Sequence, residues 1–230
     1  MNIYICWTYT RIEITPPVNL YYVRNKSRGD VYPRIYKEKE GVLMNTNYFF
    51  ALTLPDETKE YIYDMTEEIR TDFPFKKWLH KADYHITLAF LGNAVDDMRK
   101  KSMELVKKSL SDEGPFSLSV HRIATFGEQH SPRILWTGVT GEERLFQIQQ
   151  KVYDACLQAG FSLDKKPFKP HITIARKYIG DRSFDLEELQ VKAGRDSIGQ
   201  HSFTISTVSL YQSHFGASPS YEPIFTIPLE

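Results

Sequence analysis

From Met44 onward, apolar and polar positions fall into short blocks that alternate between the period of a strand and that of a helix. Tyr48-Phe49-Phe50-Ala51-Leu52-Thr53-Leu54 reads as a strand stopped by Pro55, and residues 56–71 read as a helix with Asp56 and Glu57 in its first turn and Ile62, Met65 and Ile69 on one face. A strand is expected over 84–91 and a helix over 96–110, followed by strands from Ser117 to Phe126 and from Arg133 to Val139. The strongest helical stripe is Leu145, Ile148, Val152, Ala155 and Ala159, within Glu142 to Ala159 and closed by Gly160. Strands are expected again over 169–176, 203–211 and 222–228. No regular βαβ alternation runs through this order, so the fold class is α+β.

Residues 1–43 differ, with Pro16-Pro17, scattered tyrosines and the run Lys37-Glu38-Lys39-Glu40 but no sustained period. They are expected to be an N-terminal extension, either poorly ordered or lying upstream of a native start at Met44, and 44–230 the folded domain. Lysine plus arginine and aspartate plus glutamate both number 29, a balance that disfavours a long duplex grip and directs any nucleic-acid contact to a strand end or one nucleotide. Cys6 and Cys156 are isolated, which argues against a disulfide framework or a zinc site. With no apolar run of membrane-spanning length and no signal-peptide pattern, the expectation is a cytoplasmic protein without membrane attachment.

One short pattern occurs twice: His85-Ile86-Thr87-Leu88 and His171-Ile172-Thr173-Ile174, each followed by an alanine. In a strand, residues i and i+2 share a face, so each segment presents a His and a Thr together. The same alternation places Ile86, Leu88 and Phe90, and likewise Ile172 and Ile174, on the other side. Two such strands suggest two similar halves meeting at a cleft. Imidazole titrates near neutrality, so one ring can take a proton while the other gives one, and threonine hydroxyls can hold phosphate oxygens. Hydrolysis of a cyclic phosphodiester needs that set.

These paired motifs resemble those of the 2H phosphoesterase superfamily, and within it the RNA 2′,3′-cyclic phosphodiesterases, also described as 2′-5′ RNA ligases. The resemblance covers about 44–230. It includes Tyr48-Phe49-Phe50-Ala51-Leu52, Trp78, Tyr84 to Gly92, Pro132-Arg133-Ile134-Leu135-Trp136, Phe168 to Arg176 and Leu210-Tyr211-Gln212-Ser213. It implies two pseudo-symmetric lobes, each an antiparallel sheet with outer helices, and an active-site cleft between them. It implies further that His171 is the base and His85 the acid, that Thr87 and Thr173 bind the phosphate, and that the product is a 2′-phosphate. Arg176 is a further phosphate ligand by resemblance, although strict alternation from His171 puts it on the wrong face unless a bulge intervenes. Arg133, at the start of its strand, is another candidate. The expected substrate is an RNA 3′ end or nucleotide bearing a 2′,3′-cyclic phosphate, handled by a monomer with no cofactor and no metal. Reversible 2′-5′ end joining and an inactive RNA-end binding module are the alternatives, and a metallohydrolase is disfavoured because His-x-Thr is no ligand cluster.

The basic stretch Lys165, Lys166, Lys169, Arg176 and Lys177 brackets the second motif and can steer an RNA end. Tyr211 or an aromatic of the first strand is a candidate base-stacking residue. His80, His121, His130, His201 and His214 lack any recognisable spacing and are expected to be structural or exposed.

Overall fold

A computed structural model describes residues 19–24, 31–39, 42–44, 46–140, 143–194 and 201–230. Three short strands, β1 (Asn19–Arg24), β2 (Val31–Lys39) and β3 (Val42–Met44), form a small antiparallel sheet in the order β1-β2-β3. They fall in the segment whose sequence carries no sustained helix or strand period. Tyrosine, valine and isoleucine are common in β1 and β2, and such residues suit a strand even where strict alternation is missing. The rest of the 1–43 extension lies outside the described residues.

The main body follows in the order β4 (Tyr48–Thr53), α1 (Asp56–Glu67), β5 (Phe75–Trp78), β6 (His85–Gly92), α2 (Asp96–Ser109), β7 (Phe116–Glu128) and β8 (Ser131–Val139). It continues with α3 (Glu143–Gln158), β9 (His171–Tyr178), α4 (Leu186–Lys192), β10 (Ser202–Ile205), β11 (Thr207–Ser213) and β12 (Tyr221–Pro228). α2 carries Asp96 and Asp97 in its first turn and Lys107 and Lys108 in its last, matching both ends of the helix dipole. Gly160, at φ 103°, reverses the chain after α3 so that Phe161 N–H reaches the Cys156 carbonyl at 3.1 Å. Glu142, the expected first residue of this helix, lies outside the described residues.

The strands make one nine-stranded sheet in the order β10-β7-β8-β9-β6-β4-β11-β12, with β5 paired to β9 off this path. All its pairings are antiparallel, as the α+β reading requires. The two motif strands sit at its centre. β6 leads a half with β4, β11 and β12, and β9 leads a half with β8, β7 and β10. A single residue pair, Ile86 with Ile172, joins the halves; β5 then takes the free edge of β9 at Trp78–Ala175, Lys77–Arg176 and Phe75–Tyr178. The halves thus meet at one point and diverge, which opens the cleft.

The strand expected over 203–211 is in fact two. It breaks at Ser206: β10 pairs with β7 in one half, and β11 pairs with β4 in the other. One residue spans too little distance to cross a flat sheet, so the sheet must curve back on itself. β5 and α4 were not anticipated; both are short and carry no clear period. α1 ends at Glu67 rather than 71, yet Ile69 beyond it is still buried.

Apolar side chains of the helices (Ile62, Val106, Ile148, Val152 and Leu189) share one core with Ile86, Leu88, Ile172 and Ile174. The helices therefore cover the sheet face turned away from the motif histidines. A separate cluster of Phe49, Ala51 and Tyr211, with Tyr221 against it, lies beside His85. Among the described residues, no helix is long and apolar enough to cross a membrane.

Candidate active site

Each motif histidine opens its strand, and each is fixed in the same way. His85 Nδ1 lies 2.7 Å from the carbonyl oxygen of Asp83, and His171 Nδ1 lies 2.7 Å from that of Lys169. A carbonyl only accepts, so Nδ1 carries the proton in both rings and Nε2 is left with the lone pair. His85 Nε2 is 3.0 Å from Thr87 Oγ1, a contact in which the hydroxyl donates while the ring is neutral. The rings stand in aromatic walls. Phe49, Tyr221 and Tyr211 surround His85 at centroid distances of 4.7, 5.2 and 5.8 Å, while Phe126 and Trp136 flank His171 at 5.0 and 5.9 Å.

Burial among these groups pushes the His85 pKa down from 6.5 to about 4, and the positive charges of Arg176 and His171 push the same way against the Asp83 carbonyl. Burial likewise lowers His171, the Lys169 carbonyl opposes, and Arg176 adds to the lowering. One cation, Arg176, is thus felt by both imidazoles.

Both motif strands are bulged at the same position. In β6, Phe50 faces Ala89 and Ala51 faces Thr87, so Leu88 is extra. In β9, Leu135 faces Ala175 and Trp136 faces Thr173, so Ile174 is extra. The carbonyls of these two extra residues find partners elsewhere: Gln149 Nε2 of α3 donates to Leu88 at 3.2 Å, and Leu79 N–H donates to Ile174 at 2.9 Å. Beyond each bulge the alternation is reset. Leu88 and Ala89 are both buried, as are Ile174 and Ala175. Arg176 consequently emerges on the face of His171 and Thr173, which meets the parity demand noted from the sequence. Phe90 emerges on the face of His85 and is 58% exposed, so the expectation that it points away with Ile86 is corrected. Phe90 and Arg176 occupy equivalent positions, five residues after each histidine.

Thr173 makes no side-chain hydrogen bond to a described residue, whereas Thr87 is engaged by His85. Arg133 is the extra residue of another bulge, where Phe126 faces Ile134 and Gly127 faces Pro132. A side chain at Gly127 (φ 106°) would place its Cβ 2.9 Å from the Arg133 nitrogen, so only glycine fits there. Arg133 and Arg176 line one cavity beside the cleft. Of the basic stretch, Lys166 is paired with Asp164 at 2.9 Å. Tyr211 is buried, its hydroxyl 2.9 Å from Thr53 Oγ1, so it walls His85 and offers no free face for a base. His80 caps a short turn, His130 bonds Ser183, His201 stacks on Tyr61, and His214 pairs with Glu222.

Asp83 escaped the sequence reading. Only 2% exposed, its carboxylate accepts Ser220 N–H at 2.8 and 3.0 Å and Tyr221 N–H at 3.0 Å. The residue that orients His85 through its carbonyl thereby also holds Tyr221 against the His85 ring. Its one visible signal is an acid two positions before the histidine, too slight to single out. Asp83→Asn turns an amide toward those N–H groups, so urea unfolding should show a loss of about 1–3 kcal/mol. Unchanged stability would mean that this tie carries little.

Comparison with known proteins supports the same family as the motifs. A family model described as the 2′-5′ RNA ligase superfamily matches residues 54–216. The chain is 35% identical over 185 residues to the RNA 2′,3′-cyclic phosphodiesterase of Bacillus subtilis, covering 80% of this chain and 96% of that protein. It is 38% identical over 187 residues to a protein of the same name from Geobacillus stearothermophilus, spanning 81% of this chain but 58% of that protein's length. Among solved structures, Escherichia coli LigT complexed with 3′-AMP superposes with a TM-score of 0.63 at 24% identity, over 80% of this chain and 98% of that one. Thermus thermophilus TT0787 superposes with 0.64 at 22% identity, over 80% and 97%. These two likenesses establish the fold.

Proposed function

Because the chain belongs to the 2′-5′ RNA ligase superfamily, we propose that it hydrolyses the 2′,3′-cyclic phosphate at an RNA 3′ end to a 2′-phosphate, using two histidines and no metal. The observation that carries this reading is the matched pair of imidazoles, each with Nδ1 tied to a carbonyl two residues back and Nε2 left for chemistry. His171 Nε2 takes a proton from water as the water oxygen bonds to phosphorus. The bond from phosphorus to O3′ breaks, and protonated His85 gives its Nε2 proton to O3′. A 3′-hydroxyl and a 2′-phosphate remain. Arg176 and the hydroxyls of Thr173 and Thr87 hold the non-bridging oxygens as charge builds, with Thr87 released from His85 to do so. His85 is neutral in the empty cleft at pH 7, so it takes up its Nε2 proton from solvent as the bound anionic substrate raises the depressed pKa. We propose further that it acts as a monomer in the cytoplasm.

The test is an oligoribonucleotide ending in a 2′,3′-cyclic phosphate, followed by phosphorus NMR with and without EDTA. Equal turnover in both, yielding the 2′-phosphate, is expected. A 3′-phosphate product, or loss of rate in chelator, overturns the mechanism.

Phe90 supplies the base platform in this reading, being the exposed aromatic on the cleft face of β6. Base–aromatic stacking is worth about 1–3 kcal/mol. Phe90→Ala should therefore lower kcat/KM by about tenfold or more, and Phe90→Tyr should restore it. An alanine variant at the wild-type value removes Phe90 from the substrate site.

A further inference from the structure

The cavity beside the cleft shares Arg176 with the proposed reaction, but its other lining groups have no part in opening the cyclic phosphate. It is a hollow of about 450 Å³, half open to solvent, lined by Pro132, Arg133, Ile134, Arg176, Lys177 and Tyr178, together with Ser131. Three of these are cations, none is an acid, and none of the three forms an ion pair with a described residue. Backbone irregularity assembles them. Arg133 is the extra residue of the β8 bulge, so it and Ile134 both stay uncovered between buried Pro132 and Leu135. Lys177 takes φ 59°, a left-handed conformation that costs a side-chain-bearing residue energy, and as a result Arg176 and Lys177 are both exposed in succession. Across β9, Lys77 pairs in register with Arg176, but its ammonium donates to Ser220 Oγ at 2.9 Å and takes no part in the cavity. Strain and unneutralised charge have been gathered at one place, and Arg176 joins it to the catalytic cleft.

We propose that this cavity is a second phosphate subsite, holding the phosphodiester on the 5′ side of the nucleotide whose cyclic phosphate is opened. It rests on the reading of the cleft given above. Arg133 and Lys177 are the specificity residues: they bind the linking phosphate, while Arg176 stands between the two sites. The preferred substrate is accordingly an oligonucleotide end. A nucleoside 2′,3′-cyclic phosphate lacks the group that the cavity recognises.

The experiment compares kcat/KM for three substrates: a nucleoside 2′,3′-cyclic phosphate, a dinucleotide with the same cyclic end, and that dinucleotide with an uncharged methylphosphonate link. The wild type should prefer the charged dinucleotide over the mononucleotide by about 10- to 100-fold, the worth of one or two charge-assisted hydrogen bonds. The methylphosphonate should fall back toward the mononucleotide. Lys177→Asn, which tolerates the left-handed backbone, and Arg133→Gln should each shrink the ratio between dinucleotide and mononucleotide. Equal values for all three substrates overturn the subsite and leave the cyclic phosphodiesterase reading standing. A preference that survives the methylphosphonate, or survives in both variants, also overturns it, since a base contact would then be responsible. If none of the three substrates is turned over, the underlying reading falls and the subsite falls with it.

Discussion

His85→Ala and His171→Ala should each lower turnover of a cyclic phosphate end by about 10²–10⁴-fold, the usual contribution of a positioned acid or base. In the proposed mechanism the pair acts as a unit, so the double variant should be scarcely slower than either single one. Folding should survive, because each ring's polar contacts run within two residues of its own strand. Single-turnover rates with circular dichroism as a folding control check this, and a variant near the wild-type rate removes that histidine from the chemistry. The pH dependence carries a further sign. In the proposed mechanism His171 must be neutral to accept and His85 protonated to donate, and burial has lowered both, His85 to about 4. The kcat/KM profile reports the free enzyme, so both its limbs should lie below pH 6.5, with the maximum on the acid side. Bound phosphate favours protonated imidazole, so the alkaline limb of kcat should lie at higher pH than that of kcat/KM. Limbs of kcat/KM at or above neutrality would show that the rings are not desolvated in the working enzyme.

Arg176→Ala should cost about 10²–10³-fold in kcat, the scale for losing one donor to a developing oxyanion. Arg176→Lys should recover only part of this, because an ammonium cannot offer the planar two-pronged contact of a guanidinium. A second readout separates this role from plain structural damage. Arg176 is a cause of lowering for both histidines, so its removal should move both limbs of the kcat/KM profile toward higher pH. An alanine variant with wild-type kcat and an unmoved profile would place Arg176 outside the site.

The motif strands were legible because a period of two is local: His85 with Thr87, and His171 with Thr173, lie within one pleat of each other. α3 was legible for the same kind of reason, its stripe of Leu145, Ile148 and Val152 being buried as expected. Phe90 was placed on the wrong face because its direction depends on a bulge, and that bulge is completed by Gln149, 61 residues further along the chain. Nothing in Leu88-Ala89 announces it. Ser206 likewise looks like any strand residue, yet β10 and β11 on either side of it join different halves of the sheet.

Read alone, then, the sequence determined the α+β class, the two His-x-Thr strands and the chemistry those residue types can perform, since each rests on short-range periodicity and side-chain pKa. Tertiary structure decided which further groups face the histidines. Bulge carbonyls at Leu88 and Ile174 are satisfied from distant segments, which turns Phe90 and Arg176 into the cleft, and buried Asp83 binds a hairpin more than 130 residues away. The physical reason is that a backbone irregularity persists only where its unpaired polar groups find partners, and those partners are set by the packed fold.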